Sequence, residues 1–100
     1  MFKNGMRPIH PGEILREDYL VPLEMSVNAL AKALHVPTPR INEIVRERRG
    51  VTADTALRLA RFFETTPQFW LGMQAEYELR IAEIKAAKRI EIEVQPRPLA

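Results

Sequence analysis

The 100-residue chain contains no cysteine. That excludes a disulfide framework, a thiol nucleophile and the usual zinc-finger ligand sets. No apolar run approaches the roughly 20 residues that a membrane span needs. The opening Met1–Gly5 lacks the apolar stretch of a secretory signal. The expectation is a cytoplasmic chain with no membrane association. His10 and His35 are the only histidines, and their separation forms no ligand motif, so no metal or cofactor is expected. There is no nucleophile, metal or phosphate-loop constellation, which makes an enzyme the least expected class. Internal repeats and low-complexity segments are absent as well.

What is present suits one modest domain. Hydrophobic residues make up 46% of the chain, enough for a single core at this length. The net charge of +2 is weak, but its distribution is uneven. Arg40, Arg46, Arg48 and Arg49 crowd into residues 38–50 against Glu43 and Glu47. Such a cluster fits a nucleic-acid-facing edge, and it fits a solvated arginine-rich loop equally well.

Residues 1–11, with Pro8 and Pro11, read as an extended lead-in. Pro11-Gly12-Glu13 opens a helix of about two turns that buries Ile14, Leu15 and Tyr19 and stops near Pro22. Glu13, Glu17 and Asp18 on it have no pocket for acid–base work. Acids favour a helix N-terminus for dipole reasons alone. Ser26 is placed to cap a second helix, whose Val27, Leu30, Ala31 and Leu34 form an amphipathic stripe. Thr38 and Pro39 are the expected cap and first residue of a third helix, with Ile41, Ile44 and Val45 inward. Thr52 caps a fourth, burying Ala56, Leu59, Ala60 and Phe63. Thr66-Pro67 starts a fifth, with Trp70, Met73, Tyr77, Ile81 and Ile84 along one stripe. Beyond Arg89, Ile90, Ile92 and Val94 alternate with polar residues, which predicts a short strand that pairs with another molecule or frays. The divisions expected are a lead-in over 1–11, a domain over 12–90 that includes a C-terminal dimerisation helix, and a tail or short strand over 91–100.

The segment from Ser26 to Gly50 carries the function. Two short capped helices with apolar inner faces, joined by a tight turn, have the helix-turn-helix layout. Once Ile41, Ile44 and Val45 are buried, Thr38, Arg40, Asn42, Glu43 and Arg46 are left facing outward. Arginine can bridge guanine O6 and N7, and asparagine can do the same for adenine. Arg46, Arg48 and Arg49 lie where phosphates would be expected. The N-terminus of the Ser26 helix offers free N–H groups and Asn28 for another. Helical hairpins that never touch DNA share this pattern. The fifth-helix stripe of Trp70, Met73, Tyr77, Ile81 and Ile84 outruns what one core can cover. With Ile92, it is read as the contact of a homodimer.

Several stretches together resemble one family. They are His10-Pro11-Gly12-Glu13-Ile14-Leu15, Leu30-Ala31-Lys32-Ala33-Leu34, Ile41-Asn42-Glu43-Ile44, Val51-Thr52-Ala53-Asp54-Thr55-Ala56-Leu57 and Thr66-Pro67-Gln68-Phe69-Trp70-Leu71. In this order over roughly residues 8–82, the chain closely resembles HigA-type antitoxins of the XRE, or lambda-repressor-like, helix-turn-helix family. The resemblance implies an all-α, five-helix fold with a long C-terminal helix. It implies repression of the protein's own operon by a dimer on a palindromic operator of double-stranded DNA, and a HigB-type partner toxin, an mRNA-cleaving RNase of RelE-like fold. It assigns base reading to Thr38, Pro39 and Arg40, with Asn42 and Glu43 next. A stand-alone regulator of the same fold and a pure protein-interaction module are the competing readings. The chain departs from the family at two places. Glu24 and His35 stand where turns often carry glycine, at a cost of about 1 kcal/mol wherever the backbone is left-handed. Arg46-Glu47-Arg48-Arg49 replaces a commoner asparagine- and glycine-containing pattern.

Overall fold

Helix starts are fixed locally. Ser26 Oγ accepts from Ala29 N at 3.0 Å, Thr52 Oγ1 from Thr55 N at 3.4 Å and Thr66 Oγ1 from Phe69 N at 3.1 Å. Each satisfies an N–H that the helix itself cannot. His10 does the same work with its ring, whose Nδ1 accepts from Gly12 N at 2.8 Å. The resulting computed structural model describes residues 7–99. Residues 1–6 of the expected lead-in lie outside the described residues.

The elements are α1 (Pro11–Ile14), a π-helical continuation (Leu15–Leu20), α2 (Val27–Leu34), α3 (Thr38–Val45), α4 (Ala53–Phe63) and α5 (Pro67–Glu93). The all-α, five-helix lambda-repressor-like fold with a long last helix is therefore present. The π segment was not foreseen. It places Val21 N on Arg16 O, five residues back, at 3.0 Å.

Four junctions close in the same way, and none uses glycine. Glu24, His35, Glu47 and Glu64 have φ of 52°, 59°, 62° and 57°. The following amide in each case reaches five residues back: Met25 to Leu20 O, Val36 to Ala31 O, Arg48 to Glu43 O and Thr65 to Ala60 O. This is the closure that glycine usually makes at a helix end. Glu24 and His35, where the resemblance puts turns that often carry glycine, are left-handed, so each non-glycine residue costs about 1 kcal/mol.

The core lies among α1, α2, α3, α4 and the root of α5. Leu15, Leu30, Ile41, Ile44, Ala56, Leu59 and Trp70 are fully excluded from solvent. Tyr19 packs on Phe63 and Trp70, with ring centroids 4.7 and 5.3 Å away. Trp70 Nε1 donates to Thr65 Oγ1 at 2.8 Å, so its polar edge is also satisfied. Gln74 joins α5 to the loop before α4: its Oε1 accepts from Val51 N at 2.8 Å, and its Nε2 donates to Glu78 at 2.7 Å.

Three expectations need correction. The strand over Ile90–Val94 does not form, because α5 continues through residue 90 to Glu93. A lone strand would leave its backbone groups unpaired, whereas a helix pairs them within the segment. Lys85-Ala86-Ala87-Lys88-Arg89 consists of strong helix formers that carry the helix onward. Pro96 then bars any extension. Second, Trp70 is covered entirely by its own chain, so it offers no surface to a second copy. Third, Pro37 is the N-cap of α3, with Thr38 and Pro39 inside the first turn. The fixed proline φ already sets the helix entry, which releases the Thr38 hydroxyl for another partner.

Candidate nucleic-acid interface

The geometry of α3 follows from its inner face. Ile41 and Ile44 are fully buried and Val45 nearly so, which anchors the helix against α1 and α2. The opposite side is left at the surface. Pro39, Arg46, Arg48 and Arg49 are exposed, and Thr38, Arg40, Asn42 and Glu43 are half-buried. The α2–α3 pair is thus a helix-turn-helix with its second helix on the outside, the arrangement needed to enter a major groove.

Polar contacts organise this surface. Thr38 Oγ1 donates to Asn28 Oδ1 at 2.7 Å, joining the first turns of α2 and α3. Ser26 is exposed, but its hydroxyl oxygen is engaged as the α2 cap. Arg49 pairs with Glu43 at 3.1 Å. Arg46 and Arg48 are exposed and have no ion pair among the described residues. Arg40 Nη1 donates to Asp54 Oδ2 at 2.8 Å. The same oxygen accepts from Arg58 Nε at 2.9 Å. These two arginines, Arg58 foremost, hold the Asp54 carboxyl below the usual carboxylate range, so it is charged at neutral pH.

Asp54 and Arg58 were missed as site residues. Their i,i+4 spacing on one helix was the available signal, but nothing in the sequence placed that pair beside Arg40. Arg16 was missed too. Its guanidinium donates to Val45 O, the last carbonyl of α3, and lies 3.5 Å from Glu47. It fixes the far end of α3 from the π segment.

On α5 the expected stripe divides. Trp70 belongs to the core, and Met73 and Tyr77 lean on the body; the Tyr77 ring meets His10 edge-on at 4.8 Å. Ile81 is half-buried, whereas Ile84 and Ile92 stand 62% and 74% exposed. Leu79 and Ile90 are also exposed on this helix. Among the described residues, no helix is long and apolar enough to cross a membrane.

The fold and this surface define a helix-turn-helix protein of the DNA-reading type, and residues 15–70 match the Helix-turn-helix family. Virulence-associated protein I of Dichelobacter nodosus is 65% identical over 81 residues, 81% of this chain and 75% of that one. The Pseudomonas aeruginosa antitoxin HigA, solved with the higBA promoter, superposes with a TM-score of 0.89 at 51% identity, covering 92% of this chain and 100% of that one. The antitoxin GraA, solved in complex with its operator, gives a TM-score of 0.89 at 53% identity over 100% of both chains. The chain belongs to the HigA/XRE-type helix-turn-helix family of antitoxins and transcriptional regulators.

Proposed function

We propose that this chain is the antitoxin of a type II toxin–antitoxin pair, working in the cytoplasm. It represses its own operon as a homodimer bound to a palindromic operator, and it neutralises a HigB-type, mRNA-cleaving toxin of RelE-like fold. One observation carries the DNA half. The outer side of α3 presents Thr38, Pro39, Arg40, Asn42 and Glu43 at the surface while its inner side is sealed in the core. First-turn residues of a recognition helix are the ones that meet base edges. Arg46, Arg48 and Arg49 flank them for the phosphates, with Ser26 and Asn28 at the start of α2. The relatives solved with promoter or operator DNA support this reading. The exposed Ile84 and Ile92 support pairing of two chains along the outer half of α5.

The test is a mobility shift on the protein's own promoter and on scrambled DNA of the same length. Tighter binding to the promoter is expected, and Arg40→Ala weakens it by about 1–3 kcal/mol. Equal affinity for both DNAs refutes sequence reading. The antitoxin half is tested by co-expression with the product of the adjacent reading frame, followed by gel filtration. A second reading, a stand-alone regulator, draws on the completeness of the α3 surface within this one chain. Promoter binding without co-elution selects it.

A further inference from the structure

The Asp54 carboxylate joins α3 to α4, and its partner Arg58 carries the link on to α2. Asp54 sits in the first turn of α4. One of its oxygens accepts from Arg40 Nη1 on α3 at 2.8 Å and from Arg58 Nε at 2.9 Å. Arg58 in turn donates through Nη1 to Leu34 O, the last residue of α2, at 2.9 Å. The base-reading candidate on α3 is therefore held to the frame of the helix-turn-helix by a single acidic side chain. With the Arg40–Arg58 pair around it, that carboxylate stays ionised well below neutral pH.

We infer that Asp54 is a positioning and specificity-determining residue, which orients the Arg40 guanidinium for a base edge and discourages its use on the phosphate backbone. The inference rests on the DNA-reading function proposed above. A guanidinium has five N–H donors in a rigid fork. The contact to Asp54 occupies one hydrogen of Nη1 and leaves the Nε and Nη2 donors as an intact pair, the number a guanine O6/N7 edge requires. A free arginine would have to surrender rotamer freedom on binding. Arg40 is already ordered, so less is lost when it reads a base. The carboxylate also acts at a distance. Its negative charge beside Arg40 repels the phosphates of any duplex, whatever the sequence. Only a site with the right base in reach compensates that repulsion. That compensation comes from the base contact of the oriented Arg40, which only the operator offers; the repulsion itself falls on both DNAs alike and leaves their ratio unchanged.

The experiment measures affinity for operator and for scrambled DNA at one fixed salt concentration, for the full-length protein and for Asp54→Asn. The asparagine keeps the shape and removes the charge. The operator-to-scrambled affinity ratio should fall at least about fivefold, and scrambled DNA should bind no more weakly than to the parent. Asp54→Glu, which restores the carboxylate, should recover most of the ratio. In an Arg40→Ala background, Asp54→Asn should change the ratio no further, because the effect passes through Arg40. A ratio unchanged by Asp54→Asn overturns the inference. So does a parallel loss on both DNAs, the mark of a purely structural role. A ratio that rises makes Asp54 a competitor of the bases, and that also overturns it. A parent protein with no preference for operator refutes the DNA-reading function itself, and this inference falls with it.

Discussion

The same substitution at two glycines should move stability in opposite directions. Gly12 lies where α1 crosses α3. A Cβ built there would stand 1.8 Å from Ile44 O and 2.7 Å from Ile44 C. Ordinary contact begins near 3.4 Å, so Gly12→Ala requires the two helices to part by about 1.5 Å. The obstacle is backbone, which cannot swing aside as a side chain does. Overpacking that side chains can absorb costs about 1–3 kcal/mol, and this site belongs at the top of that range or above. For a domain of this size, a loss of ~3 kcal/mol lowers Tm by roughly 12–24 °C. Gly72 is a helical residue of α5 with nothing within 4 Å of its added Cβ. There alanine removes only the entropic cost of glycine and should add about 0.5–1 kcal/mol. Circular dichroism melts of both variants, with urea titrations for the free energies, decide the matter. If Gly12→Ala costs less than about 1 kcal/mol, or if the two variants shift alike, the crossing is not as close as described.

Three further outcomes follow from particular contacts. His10 accepts the Gly12 N–H through Nδ1, and burial lowers its pKa below the ordinary 6.5. A depressed folded-state pKa means the unfolded chain binds the proton more readily. Its contribution to stability is therefore present above pH 6.5 and is lost as pH falls through the folded value. Urea midpoints near neutrality and at about pH 5.5 should show this loss, and His10→Asn should flatten it. Gln74→Leu orphans the buried Val51 N–H and should cost about 1–3 kcal/mol in urea unfolding, a cost that an unchanged midpoint would disprove. Ile84→Glu with Ile92→Glu should give monomers by sedimentation with the melting curve of the head unaltered, since neither side chain is needed in the core; a persistent dimer would place the contact elsewhere.

Much of this architecture was legible because it is local. Ser26, Thr52 and Thr66 cap the helices they precede, and the stripe of Leu30, Ala31 and Leu34 is buried as its spacing implied. The family resemblance marked Glu24 and His35 as turn positions that often carry glycine, and both are left-handed, but nothing marked the same turn at Glu47 and Glu64. The alternation after Arg89 misled, since period two is a weak signal over five residues when strong helix formers precede it. Trp70 fitted a stripe that runs from core to solvent, and spacing cannot say where along such a stripe the body ends. The contacts of Arg40 with Asp54 and of Val51 with Gln74 join residues 14 and 23 positions apart. Such contacts depend on how helices cross, which no local pattern records. The same is true of the π segment, where one extra residue enters a turn without a distinctive composition.

The length of α5 has a mechanical consequence. From Trp70 to Glu93 it extends about 35 Å, much of the 55 Å long axis of the molecule. A rod of that length magnifies small angular changes: a 10° tilt at its root swings the tip by about 6 Å. Trp70, Gln74 and the Tyr77–His10 ring contact grip the root. In a pair of chains joined near the tips, these few side chains would govern how far apart the two heads are carried. The spacing of operator half-sites would thus be set by the stiffness of a hinge buried inside each protomer.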